Sequence, residues 1–375
     1  MSSRLLYVSS QNPLDAQNPS SYTPTVKKQC LINLICHLLR LKITGRKEPV
    51  FVCFFLTNRC NLRCKYCFVI DEKIDKKILS AEFTREEAFH FVDEFYSLGT
   101  RMMFLLGGEP LMHKHIGDIV EYIVAKGIVL HVVTNGTLLG EKYEAVKKAH
   151  AVCVSLDGVG EMNDCLRGEG VYERAIAGLK KARENGVRCR IHSVVSRSNL
   201  QRFEEMAKLA GELGVPLTVS PPTHIGRTDF EPLNITDDEY REFWTKYREL
   251  KKQGYPIGNT FKAVDAVRTW PIGYHEIMKD DTSLPRGYQK PARCVSGDIF
   301  CGLEPSGTLY YCVQLGCYRG PNVREVGLRN AWEILVRDRP NCVSCASINT
   351  VENSLAMRLD PGALFGLLKF HFLKK

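Results

Sequence analysis

Three cysteines, Cys60, Cys64 and Cys67, stand in the stretch TNRCNLRCKYCF. Thiolates are soft ligands, and three at CxxxCxxC spacing in one loop can grip three corners of a cubane iron–sulfur cluster. The fourth iron is then left without a protein ligand. Structural zinc sites use four protein ligands, normally as two pairs, and no histidine stands near this triad to complete such a set. The open iron is the feature that could do chemistry.

A second group lies far along the chain. Cys294 and Cys312 flank a Gly-containing turn in RCVSGDIFCGLEPSGTLYYC, and Cys342 and Cys345 follow as a CxxC pair. Four thiolates in this order suit a fully ligated four-iron cluster, and a zinc ribbon is the other site they permit. Cys301 and Cys317 are left over, and either can replace Cys294 or Cys312 or act as a thiol. The other six, Cys30, Cys36, Cys53, Cys153, Cys165 and Cys189, mostly stand in apolar runs and read as small buried hydrophobes. Fifteen cysteines without a secretory signal at the N-terminus imply a reducing compartment, where metal ligation is the commoner use of clustered thiols.

The elements that must position these groups alternate regularly. Strand-like runs at Val50–Leu56, Met102–Leu106, Val129–Val133, Val152–Leu156, Arg190–Val195 and Pro216–Ser220 are separated by helical patterns. These are Thr84–Leu98, His115–Ala125, Glu141–Ala149, Tyr172–Asn185 and Arg202–Leu213. Continuous apolar strands joined by such helices demand a parallel sheet, either a closed or partial barrel or a doubly wound sheet. In each case the site belongs at the carboxyl ends of the strands, where the loop motifs fall.

The triad resembles the signature of the radical S-adenosylmethionine (SAM) superfamily, and further motifs support the likeness. Gly107-Gly108-Glu109-Pro110 follows the second strand, as in that family's GGEP element. The resemblance implies that this element binds the amino group of SAM and that Tyr66 approaches the adenine. Thr134-Asn135, Ser155, Asp157 and Arg167, with Ser196 to Asn199, match strand-end positions that reach ribose, carboxylate or substrate. The implied fold is α/β, a partial (β/α)6 TIM-like barrel over residues 50–230. The implied chemistry is reductive cleavage of SAM to a 5'-deoxyadenosyl radical, which removes a hydrogen atom from the substrate. The C-terminal group, with Pro305 and Gly307, resembles the start of a SPASM extension. No cysteine after Cys345 can serve a second auxiliary cluster, so the shortened "twitch" form with one auxiliary [4Fe-4S] cluster is expected.

Residues 1–49 then form a basic arm and amphipathic helix, 231–293 a connecting helical region, 294–350 the small auxiliary-cluster domain and 351–375 an apolar basic tail. Of the net charge of +9, residues 1–50 contribute +5, seven Lys or Arg against Asp15 and Glu48. That asymmetry argues for a basic surface at one end, not for a nucleic-acid groove. The leucine-rich helix 26–43 either buries its leucines on the barrel or rests on an anionic membrane surface. Location is expected to be cytoplasmic, with peripheral contact to the inner membrane surface as the variant. Substrate readings are peptide or protein maturation, small-molecule oxidation, or a lipid or isoprenoid at the membrane surface. The resemblance also implies a low-potential electron donor such as ferredoxin or flavodoxin, and the general acid or base stays unassigned. From another class, an iron–sulfur electron carrier without SAM chemistry would need no GGEP element.

Overall fold

Strands that are apolar on both sides must be covered on both sides, and the alternation in the sequence meets that demand with one helix per crossover. The computed structural model describes residues 24–67, 69, 80–221, 235–278, 293–312, 320–340 and 342–372. Residues 1–23 of the expected arm, the boundary near residue 230, Cys317 and the last three residues of the tail lie outside the described residues.

Six parallel strands stand side by side in chain order: β1 Phe51–Thr57, β2 Met102–Gly107, β3 Val129–Thr134, β4 Ala151–Ser155, β5 Cys189–Val194 and β6 Leu217–Ser220. A doubly wound sheet reverses its strand order at a switch point, and this one never does, so the barrel-type alternative holds. Along β1, Val52, Phe54 and Leu56 enter the large core under the helices, while Phe51, Cys53 and Phe55 face the barrel interior side.

The C-terminal segment is less separate than the sequence suggests. Strand β8, Phe300–Leu303, lies parallel on the outer edge of β1, with Phe51 opposite Phe300 and Phe54 opposite Leu303. Its sequence FCGL is apolar on both faces: the Phe300 ring stacks on Phe51 at 5.0 Å, and Leu303 joins the helix-side core. Strand β9, Leu309–Tyr310, returns antiparallel to β8. A small ribbon pairs β7, Ile277–Met278, with β10, Ser344–Cys345.

Helix α1, Pro24–Thr44, closes the foot of the barrel. Cys30, Leu31, Leu34, Leu38 and Leu41 pack against Phe51, Met102 and Val129 near the amino ends of the first three strands. The leucine face is therefore buried. No helix among the described residues is long and apolar enough to cross a membrane. At the opposite end, the loops after β1, β2, β3, β4, β5 and β8 gather at one mouth.

Candidate functional site

The triad loop is held from three sides. The Gly108 amide donates to the Thr57 carbonyl at 2.7 Å and the Glu109 amide to the Arg59 carbonyl at 2.8 Å, zipping the end of β2 onto the chain that leads into Cys60. The glycines are required by this close approach. A Cβ on Gly107, where φ is +159°, would stand 2.3 Å from the Thr57 oxygen, and one on Gly108 would stand 2.4 Å from the Arg59 oxygen. Sequence reasoning assigned the glycines to ligand approach; the structure shows that backbone contact within the chain already excludes a side chain.

Glu109 is fully buried. Its carboxylate accepts from the Thr134 hydroxyl at 2.7 Å, the Leu111 amide at 3.0 Å and the Asn135 amide at 2.7 Å. Burial pushes its acid up to about 7, although these three donors pull the other way. Glu109 thus clamps the ends of β2 and β3 together, and Pro110 is buried beside it. Asn135 reaches on from this clamp. Its Nδ2 donates to Asn61 Oδ1 at 2.9 Å and lies 3.9 Å from Cys60 Sγ.

On the other flank, Asp157 after β4 is fully buried and pairs with Arg167 Nε at 2.7 Å. The Tyr66 hydroxyl donates to the same carboxylate, and the Arg167 guanidinium lies 5.6 Å from the centre of the Tyr66 ring. Asp157 also accepts from the Val194 amide at 2.8 Å. Asn199 Nδ2 donates to the Asp157 carbonyl at 2.7 Å. Burial raises the Tyr66 phenol well above its usual value. Ser155 is half-buried at the end of β4. The sequence motifs after strands one, two, three and four therefore converge on one mouth.

Cys60, Cys64 and Cys67 are each partly exposed and lie within mutual electrostatic range. Burial pushes the Cys60 thiol up to about 12 and the Cys64 thiol up to about 11, with Arg167 opposing the latter. Coordination by iron would remove those protons outright. The Leu62 amide donates to Cys60 Sγ at 3.4 Å, a bond that suits a sulfur carrying thiolate charge. Among the described residues no three His, Cys, Asp or Glu side chains converge as a single-ion site would require. A cubane presents its irons at separate corners, and this donor set of three spread thiols fits one held at three of them.

The second group also assembles. Cys294, Cys312, Cys342 and Cys345 lie within mutual electrostatic range. The Cys294 amide donates to the Val343 carbonyl at 2.7 Å, tying the two segments together. A hydrogen bond from Cys342, with help from Ser296 and Arg339, holds the Cys294 thiol below its usual value. Cys301 stays apart, fully buried in β8 beside Cys53, and burial pushes its thiol well above the usual value. Of the six cysteines read as buried hydrophobes, Cys36 and Cys165 are exposed.

Sequence reasoning missed Glu304. It follows β8 directly, is fully buried, and neither carboxylate oxygen has a hydrogen-bond partner. Burial pushes its acid up to about 8. The available signal was an acidic residue just past a strand end, the position that Glu109 and Asp157 also occupy after their strands. Two further groups line the inner side of β5: Arg190, 5.4 Å from the Phe104 ring, and His192, within 3.1 Å of Thr218 Oγ1 and Ser220 Oγ.

A singly wound parallel sheet with a three-thiol loop at its first strand end defines an iron–sulfur enzyme class, and the comparisons with known proteins agree. The radical SAM superfamily model matches residues 54–229. An AdoMet-dependent heme synthase of Methanosarcina barkeri is 31% identical over 303 residues, covering 78% of this chain and 84% of that protein. This chain belongs to the radical SAM superfamily, and it is a SAM-cleaving radical enzyme. The mycofactocin maturase MftC of Mycolicibacterium smegmatis is 25% identical, covering 77% of this chain and 71% of that one. The crystal structure of Streptococcus suis SuiB bound to precursor peptide SuiA superposes with a TM-score of 0.60 at 17% identity, covering 89% of this chain and 75% of that one. That likeness shows the shared fold.

Proposed function

We propose that Cys60, Cys64 and Cys67 hold the SAM-binding cluster and that Cys294, Cys312, Cys342 and Cys345 hold an auxiliary cluster in the segment 294–350. The observation that carries the first assignment is the contact of Asn135 with Cys60. It joins the Glu109 clamp to the triad, so the motifs after β1, β2 and β3 act as one site. A four-iron cluster with SAM on its open iron supplies one-electron cleavage of a sulfur–carbon bond and so a 5'-deoxyadenosyl radical.

The chain's own residues orient and enclose. Gly107 and Gly108, half-buried, offer backbone to the methionyl end of SAM, and Glu109 holds that backbone rigid while its buried carboxyl biases the site toward an ammonium. Thr134, Asn135, Ser155, Asp157 and Arg167 form the polar wall, and Tyr66, fixed by Asp157, supplies the aromatic surface for adenine.

Arg190 favours a substrate with a carboxylate group in the barrel interior, while His192, which burial pushes down to about 3, stays neutral beside Thr218 and Ser220. A heme synthase and a mycofactocin maturase occur among the relatives, SuiB is solved with a precursor peptide, and Arg190 inside the barrel supports the small anionic substrate first. The test is anaerobic reconstitution with dithionite and SAM, followed by chromatography for 5'-deoxyadenosine. A fully iron-loaded protein that forms none would leave an electron carrier as the better reading. Product formation from a carboxylate-rich macrocycle but not from peptides would support the substrate class, and the reverse result would replace it with peptide maturation.

A further inference from the structure

Helix α1 has a second apolar face. Opposite the buried leucines, Ile32, Cys36, Leu39 and Ile43 follow one another at spacings of four, three and four residues, which places them within about 60° of one line on a helix of 100° per residue. Ile32 is 51% exposed, Leu39 45% and Ile43 84%. A helix resting on a barrel normally turns a polar side to water. Here Arg40 and Lys42 flank the apolar line, about 80° away on either side, and both are exposed.

Beside Arg40 opens a cavity of about 790 Å³ at the foot of the barrel. Arg40, Arg46, Lys47, Arg101, Arg329 and Arg337 line it, against the acids Glu48 and Glu333. Glu48 pairs with His37 at 2.9 Å and with Arg40, Asp298 with Lys47 at 3.2 Å and Asp338 with Arg337 at 2.7 Å, so the excess positive charge of the cavity rests on Arg46, Arg101 and Arg329 against Glu333. The cavity lies at the amino ends of the strands, beside Arg101 and Glu48, whereas the triad lies at their carboxyl ends. It therefore has no part in cleaving SAM.

We propose that this foot docks on a membrane surface bearing anionic phospholipid headgroups. The line Ile32–Ile43 enters the boundary between headgroups and acyl chains, Arg40 and Lys42 meet phosphates on either side, and the cavity receives a headgroup. An apolar line framed by basic side chains is the pattern of an interfacial helix, and the cavity extends its positive charge over the adjoining surface. Docked this way, the barrel stands with its mouth pointing away from the bilayer, so substrate reaches the site from the aqueous side. This inference does not depend on the substrate reading above.

The test is sedimentation of the full, iron-loaded chain with vesicles of phosphatidylcholine, with and without phosphatidylserine. Pelleting is expected only with phosphatidylserine, is lost in Leu39→Asp/Ile43→Asp, and weakens about fivefold for each of Arg46→Gln and Arg329→Gln. Iron content, thermal unfolding and 5'-deoxyadenosine formation stay unchanged in these variants, which separates lost docking from lost folding. Equal pelleting with neutral vesicles, or pelleting indifferent to Leu39→Asp/Ile43→Asp, overturns the proposal. Calorimetric binding of glycerol phosphate to the cavity without vesicle pelleting would make it a site for a soluble anion. Concentration-dependent dimerisation abolished by Ile43→Asp, again without pelleting, would assign the face to a second copy of the chain.

Discussion

The two cysteine sets of this molecule are built on opposite plans. The triad comes from one loop of eight residues, Cys60 to Cys67, and beyond its own bonds it is stiffened by Thr57 at the end of β1 and by Glu109, Asn135 and Asp157 after other strands. The second set gathers its four cysteines from segments around Cys294, Cys312 and Cys342–Cys345, joined by the β8–β9 hairpin and the Cys294–Val343 hydrogen bond. A short loop can supply three corners of a cube, and a fourth ligand has to arrive from elsewhere. On the proposed assignment the second set brings one in, and an open coordination position then follows from how the chain is routed.

The largest expected effect breaks this contrast outright. Cys64→Ala should lower 5'-deoxyadenosine formation by more than the ~10–100-fold typical of losing only an outer partner of a metal ligand. Iron content should fall from about eight to about four per chain, the difference of one cubane. Cys342→Ala should lose the same amount of iron yet keep SAM cleavage without substrate. If both variants lost cleavage equally, the division of labour would be wrong.

Next comes the wall of the mouth. Arg167→Ala leaves the buried Asp157 carboxylate without its ion pair, which costs about 3–5 kcal/mol and should weaken SAM binding in equilibrium dialysis. The spectroscopic signal of the second cluster should be unaffected.

Glu304→Gln sharpens the comparison through pH. The folded chain holds this proton up to about 8, whereas the unfolded chain releases it near the ordinary value of 4.5. Stability from this group is therefore lost as pH rises through that window, at about 1.4 kcal/mol per unit before solvent relaxation reduces it. The variant should match the parent in Tm below pH 4.5 and exceed it above pH 8. A gap independent of pH would show that Glu304 is not buried as a neutral acid.

Gly108→Ala should have the smallest effect, about 1–3 kcal/mol, because the Arg59 carbonyl must shift to admit a Cβ. Its signature is selective: SAM affinity falls before auxiliary-cluster content does.

How much of this was legible in the sequence depended on range. The six strands of the barrel could be read because each announces itself within a few residues, and the observed bounds differ from the expected ones by about a residue. Strand β8 could not be read: it is four residues long, and its partner Phe51 lies some 250 residues upstream of Phe300. The triad and its companion motifs stood out as residue types at fixed spacings. Their physical roles did not. The motif gave Glu109 as part of the element for the SAM amino group, and only the structure shows that its carboxylate also ties the ends of β2 and β3 together. Glu304 stayed hidden because a lone acidic residue in a Pro–Gly turn looks like any surface turn until burial is known.

The open iron at the triad is tested most directly by electron paramagnetic resonance of the reduced, air-free protein with one cysteine set removed at a time. Protein lacking Cys342 and Cys345 should show a cubane signal that shifts when SAM is added. Protein lacking Cys60, Cys64 and Cys67 should show a cubane signal that SAM leaves unchanged. A SAM-induced shift in the second protein, or none in the first, would contradict the account.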